Sequence, residues 1–399
     1  MFACGDVSVV LCVCFSLVFS FIIIYLLFSF TQLRANIQPG LLAMHTLWLR
    51  EHNRLARALI HLLALETKTD VMETTCGWCD NNVVDRISST LGIVNASEFD
   101  ELIFQEVRRI LIAEFQIVTY KEYLPALLGH DLNENNSIQY DEQIHASVSN
   151  TFATAAMRFG HTQVHDMIGR VYANGTVSKP LQLRKTYFAT SNDIIERFGG
   201  LDSMLRSMLA ADVTTTIESS DETLCENSAS RPCVSNEIRE FLFGSDQRIL
   251  LKKKGKRRTG TDLIAVNIQR GRDHGLPDYN TVLSKLLAPI TSFEEVSSNF
   301  ADTLSHLYDN DVNNIDLFVG MSVEKKKSKN DHIGPLASRL LENQFRDLIS
   351  GDRFFYTNEF TTQQVNQMEL ETSMRNIMKR NTAVESSVKL RDSDVFIII

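Results

Sequence analysis

From Gln38 to about Leu65 the apolar residues Leu41, Met44, Trp48, Leu55 and Leu59 recur at helical spacing, with Arg50, Glu51 and Arg54 set between them. Such a pattern gives one long helix an apolar stripe and a charged stripe, which a strand with its two-residue period cannot use. Pro39-Gly40 punctuates its start. A second helix is expected to begin near Ser97, with Asp100 three residues on as a weak capping box, and to run through Ile103, Val107, Ile110 and Phe115. The same spacing predicts helices over Thr119 to Gly129, Ser149 to Asn174, Ser191 to Ala210, Glu237 to Phe243, Thr281 to Leu287, Phe293 to Tyr308 and Pro335 to Ile349. Strand-like alternation is scarce, and Lys68 to Asn95, Glu218 to Ser235 and Gly244 to Gly260 read as loops. The expected fold class is therefore mainly α-helical, a single domain stitched by loops.

Charge and cysteine usage narrow the partners. A net charge of -9 leaves no basic excess to neutralise phosphates, so no nucleic acid is expected. Lys252 to Arg258 and Lys325 to Lys329 are brief basic runs flanked by polar residues and read as solvated loops. Cys225 and Cys233 bracket a polar loop that a local disulfide could close, and Cys76-Gly-Trp-Cys79 is a CxxC pair. No second CxxC and no paired histidines complete a zinc set around it, leaving a disulfide or two free thiols. The sequons Asn95-Ala-Ser, Asn135-Asn-Ser and Asn174-Gly-Thr suit a secreted protein.

The most specific text is Asp262 to Tyr279, DLIAVNIQRGRDHGLPDY, where Asn267, Arg270, Arg272, Asp273 and His274 follow a short apolar run. Ordering so many polar groups beside apolar residues is costly unless something anionic or polar is held there. This text, with Arg158-Phe-Gly-His-Thr162, resembles the signature motifs of the animal haem peroxidases. Further blocks continue the resemblance at Ile315 to Gly320, Gln344 to Arg346 and Gly351 to Tyr356.

The resemblance implies haem b held by His161 as proximal iron ligand. It implies Asn267 as the partner orienting that imidazole, and Arg158 and Arg270 beside the haem propionates. Arg272, Asp273 and His274 are expected to be structural. Arg34 matches the family's distal arginine, whose cation stabilises charge developing on peroxide as the O–O bond breaks. The distal histidine that moves the peroxide proton lies upstream of that arginine in the family, and the chain lacks it. His130-Asp131 superficially looks like its motif, yet follows Tyr123 to Gly129, which resembles a downstream block. The family's calcium loop is likewise absent, and Ile37 stands where many members carry a haem-esterifying glutamate.

Val7 to Phe30 is an almost unbroken apolar stretch, long enough to span a bilayer. Two readings stand. One is a transmembrane helix, although Asp6 and Arg34 give neither a basic leader nor a positive-inside bias. The other is a translated retained intron over residues 7–32. Val7-Ser8 can be encoded by a splice donor, Phe28 to Gln32 by a pyrimidine-rich acceptor, and excision joins Gly5-Asp6 to Leu33-Arg34-Ala35-Asn36, restoring a continuous family-like segment. The organisation expected is thus a remnant at 1–6, the apolar segment at 7–32, and the peroxidase domain at 33–399, incomplete on its N-terminal side.

The function implied is peroxide reduction coupled to oxidation of a halide, phenol or tyrosine donor, outside the cell. In this chain it would be impaired by the absent distal histidine. The alternative is a non-catalytic peroxidase-like adhesion or interaction domain, membrane-anchored if the apolar segment is a true span.

Overall fold

The computed structural model describes residues 35–66, 92, 96–189, 192–209, 235–242, 260–327 and 332–382. Arg34, the apolar segment, all four cysteines of the two pairs and Asn95 lie outside these residues. Among the described residues no helix is long and apolar enough to cross a membrane.

Helices dominate as the periodicity predicts. The first runs Pro39–Glu66 and the second Ala96–Ile117. Ser97 and Asp100 therefore fall inside the second helix's first turns and do not cap it. The two helices pack through Ala56, Ile60, Ala64, Phe99, Ile103 and Val107. The second helix passes without a break into a π-helical turn, Val118–Tyr123, and then Leu124–Leu128, which ends on Gly129 in the left-handed conformation (φ 81°). The main core gathers this segment with helices Tyr279–Leu286, Leu317–Val323 and Pro335–Ser350. Tyr120 stands edge-on to both Phe345 and Phe355, with ring centroids 5.8 and 5.1 Å away.

The helix expected over Ser149 to Asn174 is corrected. It stops early: Asn150–Thr154 is α-helical, Ala156–Gln163 is a 3-10 helix, and Met167–Val171 pairs antiparallel with Val177–Gln182. Asn174-Gly175 supplies the turn, Gly175 taking φ 82°, a conformation that a helix cannot continue through. Two further spans are shorter than the spacing suggested. The segment over Glu237 to Phe243 keeps only helix Asn236–Arg239, and Phe293 to Tyr308 divides into Phe293–Val296 and Ala301–Leu307.

A buried ionic clasp joins the last described helix, Met374–Asn381, to the first two. Glu51 is fully buried and Glu114 is 4% exposed. Arg380 Nη2 lies 2.6 Å from Glu51 Oε1 and 2.6 Å from Glu114 Oε1, while Arg54 and Asn381 also donate to Glu51. Glu114 Oε2 has no hydrogen-bond partner among the described residues. The surrounding cations and amide hold the Glu51 carboxyl down to about 2 against the cost of burial, whereas burial and Glu51 push Glu114 up to about 7.

Candidate functional site

Two segments far apart in sequence form the site. The first is the short helix Asn150–Thr154, capped by Ser149, and the 3-10 helix that follows. Buried Ala155, Ala156 and Phe159 seat this stretch on the core, and Gln344 fastens its entrance by donating to Ser147 O and accepting from Ser149 N. Beyond the seated residues the chain delivers Arg158 and His161, both half-buried.

The second segment is helix Leu263–Asp273, built from the signature text. Asp262 caps it, accepting from the amides of Ile264 and Ala265 at 2.9 and 3.0 Å. Asn267 and His274 lie two turns apart, hence on one side of the helix. They grip the first segment at two places. His274 Nδ1 sits 2.9 Å from Asn150 Oδ1 and 3.4 Å from Thr154 Oγ1, while Asn267 reaches Arg158 and His161. Arg272 forms two hydrogen bonds to Asp316, and Gln269 donates to Asp273 one turn further along the same helix.

Asn267 is fully buried and its amide is shared. Arg158 Nη1 donates to Asn267 Oδ1 at 2.9 Å, and Nδ2 faces His161 Nδ1 at 2.8 Å. A guanidinium is donor-only, so it fixes the amide oxygen on its own side and turns the NH2 towards the imidazole. In this arrangement the neutral imidazole carries its proton on Nε2. Burial, reinforced by Arg158, holds the His161 pKa below its ordinary value, and the Asn267 hydrogen bond only partly opposes this. Burial and the neighbouring Arg270 likewise lower the pKa of Arg158. Neither arginine makes an ion pair with an acidic side chain among the described residues. The site thus combines a neutral imidazole with two adjacent cations, a set suited to a metal carried by an anionic group.

Sequence reading brought together Arg158, His161, Asn267 and Arg270, and the structure places them in one neighbourhood. The Arg158–Asn267 bond had no signal in either motif. Ile37 packs against the buried cluster of Leu183, Tyr187, Ile238 and Leu242, and its carbonyl accepts from Phe188 N at 3.0 Å. His130 and Asp131 meet Glu342 and Lys121.

The buried Glu324 was not anticipated. Its carboxylate accepts from Tyr279 Oη and from the amides of Leu336 and Ala337, the first turn of helix Pro335–Ser350. Burial pushes its pKa up to about 7. Among the described residues no three His, Cys, Asp or Glu side chains are grouped to hold a metal ion.

A family model described as animal haem peroxidase matches residues 24–393. The chain is 32% identical to peroxidasin of Drosophila melanogaster over 353 residues, covering 85% of this chain and 19% of that protein. It is 30% identical to thyroid peroxidase of Homo sapiens, covering 88% and 33%, and 29% identical to peroxinectin A of Dictyostelium discoideum, covering 90% and 55%. Among solved structures, peroxidase A of Dictyostelium discoideum superimposes with a TM-score of 0.62 at 27% identity, covering 91% of this chain and 58% of that one. A fatty acid alpha-dioxygenase of Arabidopsis thaliana shares the fold, with a TM-score of 0.57 at 16% identity. The chain spans from about a fifth to little more than half of these relatives' lengths. On the extent of the family match and the identity to peroxidasin, the chain belongs to the animal haem peroxidases.

Proposed function

We propose that the chain forms the proximal side of a haem peroxidase that reduces hydrogen peroxide and oxidises a small donor outside the cell. The observation that carries this reading is the buried Asn267 amide joining His161 to Arg158. Three features of the chain fit haem. His161 is held neutral, as a metal ligand must be. Arg158 and Arg270 supply positive charge for two carboxylates. A Cβ on Gly160 would meet no atom of the described residues within 4 Å, so the backbone next to His161 is open on that side.

In this reading His161 would hold the iron, Asn267 would orient the ring, and Arg158 and Arg270 would bind the propionates. For the imidazole to act as ligand through Nε2, its proton would pass to Nδ1, Arg158 would release Asn267 Oδ1, and the freed amide would turn to offer that oxygen to Nδ1. When bound, haem supplies the electron transfer to peroxide that no side chain here can perform. Arg34 would stabilise charge on the leaving oxygen. With no histidine to move the peroxide proton, turnover by this chain alone would be negligible.

Hemin titration of the full chain tests the assignment. Wild type should develop a Soret band that His161→Gln weakens at least tenfold in affinity, with little donor oxidation. Equal hemin affinity in the two proteins would remove His161 from its role, and robust donor oxidation by the wild-type chain would overturn the reading of impaired turnover.

A further inference from the structure

The sequon Asn174-Gly175-Thr176 lies at the tip of the hairpin that replaces the expected helix. Its turn is closed by hydrogen bonds from Gly175 N to Tyr172 O and from Tyr172 N to Thr176 O, each 3.0 Å long. Thr176 N also donates to Asn174 Oδ1 at 3.0 Å, an Asx turn within the sequon. Asn174 and Thr176 are both exposed. The carboxamide oxygen is engaged only by its own turn, and the nitrogen has no partner among the described residues.

The strand residues just below the turn are the opposite. Val171 is 1% exposed, and Arg170 donates to the carbonyls of Lys179, Arg197 and Phe198. Arg206 Nε, from helix Leu201–Leu209, donates to Val171 O at 3.0 Å. The hairpin is therefore held right up to the residues that flank its turn, and the turn itself is exposed. At about 3.3 Å per residue, the five-residue first strand carries that tip roughly 16 Å from its root near the His161 segment. A bulky group there meets solvent and leaves the candidate haem site clear.

The second sequon is held differently. Asn135 sits in the 3-10 turn Glu134–Asn136. Asn136, its middle residue, has φ 52°, donates to Glu369 and accepts from Tyr356 Oη. Asn133, 1% exposed, accepts from Ile138 N on the other side. Presenting this tripeptide to an enzyme would break those bonds, whereas presenting Asn174 breaks none outside its own turn.

We propose that Asn174 carries an N-linked oligosaccharide, and that it is modified in preference to Asn135. The inference rests on the extracellular part of the reading above. Its donor is a lipid-diphosphate-linked oligosaccharide. A bond forms from Asn174 Nδ2 to the anomeric carbon, the sugar-phosphate bond breaks, the lipid diphosphate departs, and the amide gives up one proton, with no change of oxidation state. The hairpin forms from neighbouring residues, so the exposed turn is available early in folding.

The test is expression of the full chain through the secretory pathway of insect cells, then peptide N-glycosidase digestion in heavy-oxygen water and peptide mass spectrometry. Digestion without the enzyme controls for spontaneous deamidation at Asn174-Gly175. The expected result is enzyme-dependent conversion of Asn174 to a heavy-oxygen aspartate in most molecules and of Asn135 in few. Asn174→Gln and Thr176→Ala should each lose the same single step in gel mobility, with hemin affinity unchanged within twofold. Glycan at Asn95 or Asn135 with Asn174 unmodified would overturn this inference while leaving the extracellular reading intact. A chain bearing no glycan at any of the three would count against both.

Discussion

Replacing Glu114 by glutamine should invert the usual effect of removing a buried charge. The fold raises the Glu114 carboxyl from 4.5 to about 7. A carboxyl raised in this way favours folding in its protonated form, so its contribution is fully present below pH 4.5 and is lost as the pH climbs through 7. At about 1.4 kcal/mol per unit, the rise is worth up to about 3 kcal/mol. Glutamine keeps the oxygen that meets Arg380 Nη2 at 2.6 Å and removes the ionisation. Urea unfolding at pH values from 5 to 8, followed by far-ultraviolet circular dichroism, should show Glu114→Gln gaining on wild type as the pH rises. With a urea slope of about 2 kcal/mol per molar, the midpoints should separate by about 1 M more at pH 8 than at pH 5. A difference that stays flat over this range would mean that Arg380 keeps Glu114 ionised throughout, and the argument from burial would fail.

Other perturbations have equally definite outcomes. Glu51→Gln should behave oppositely: the Glu51 carboxyl is held at about 2, so its contribution is present above pH 4.5 and fades as the pH falls towards 2. The variant should therefore lose most stability near neutral pH, by about 3 kcal/mol as its cations are left unpaired, measured by the same unfolding series. Asp262→Ala removes the acceptor for two helix amides and should cost about 1 kcal/mol, with an unchanged urea midpoint counting against the cap. Gly320→Ala would place a Cβ 2.2 Å from the Tyr279 ring. Forcing helices Tyr279–Leu286 and Leu317–Val323 apart should cost at least about 2 kcal/mol, and thermal melting at the wild-type temperature would refute that close approach.

The helical character was legible because most helices bury a single stripe, and the stripe repeats at 3.6 residues over enough turns to be recognised. The hairpin was not. Met167 to Val171, reading Met-Ile-Gly-Arg-Val, is too short and mixed to distinguish strand from helix, and the decisive residue is Gly175 in the left-handed turn that follows. The site was legible through two motifs, since His161 and Asn267 each sit in distinctive text. Their contact is a different matter. Arg158 meets Asn267 across 109 residues, and no local pattern encodes which donor reaches which face of an amide. Glu324 escaped notice for a similar reason. Its three donors come from Tyr279 and from the start of helix Pro335–Ser350, elements whose meeting only the tertiary fold decides.

The Arg380 clasp also sets an order of events at the ribosome. Glu51 and Arg380 are 329 positions apart, and at roughly 5 to 20 residues per second the second is made tens of seconds after the first. During that interval the first helix carries a carboxylate destined for burial, with Arg54 its ion-pair partner within the same helix. The first and second helices can associate through their apolar stripe, but burial of Glu51 in its final surroundings must wait for the last described helix. A nascent chain halted before Arg380 should therefore hold its opening helix pair loosely, open to proteases and chaperones, until the far end arrives to close it.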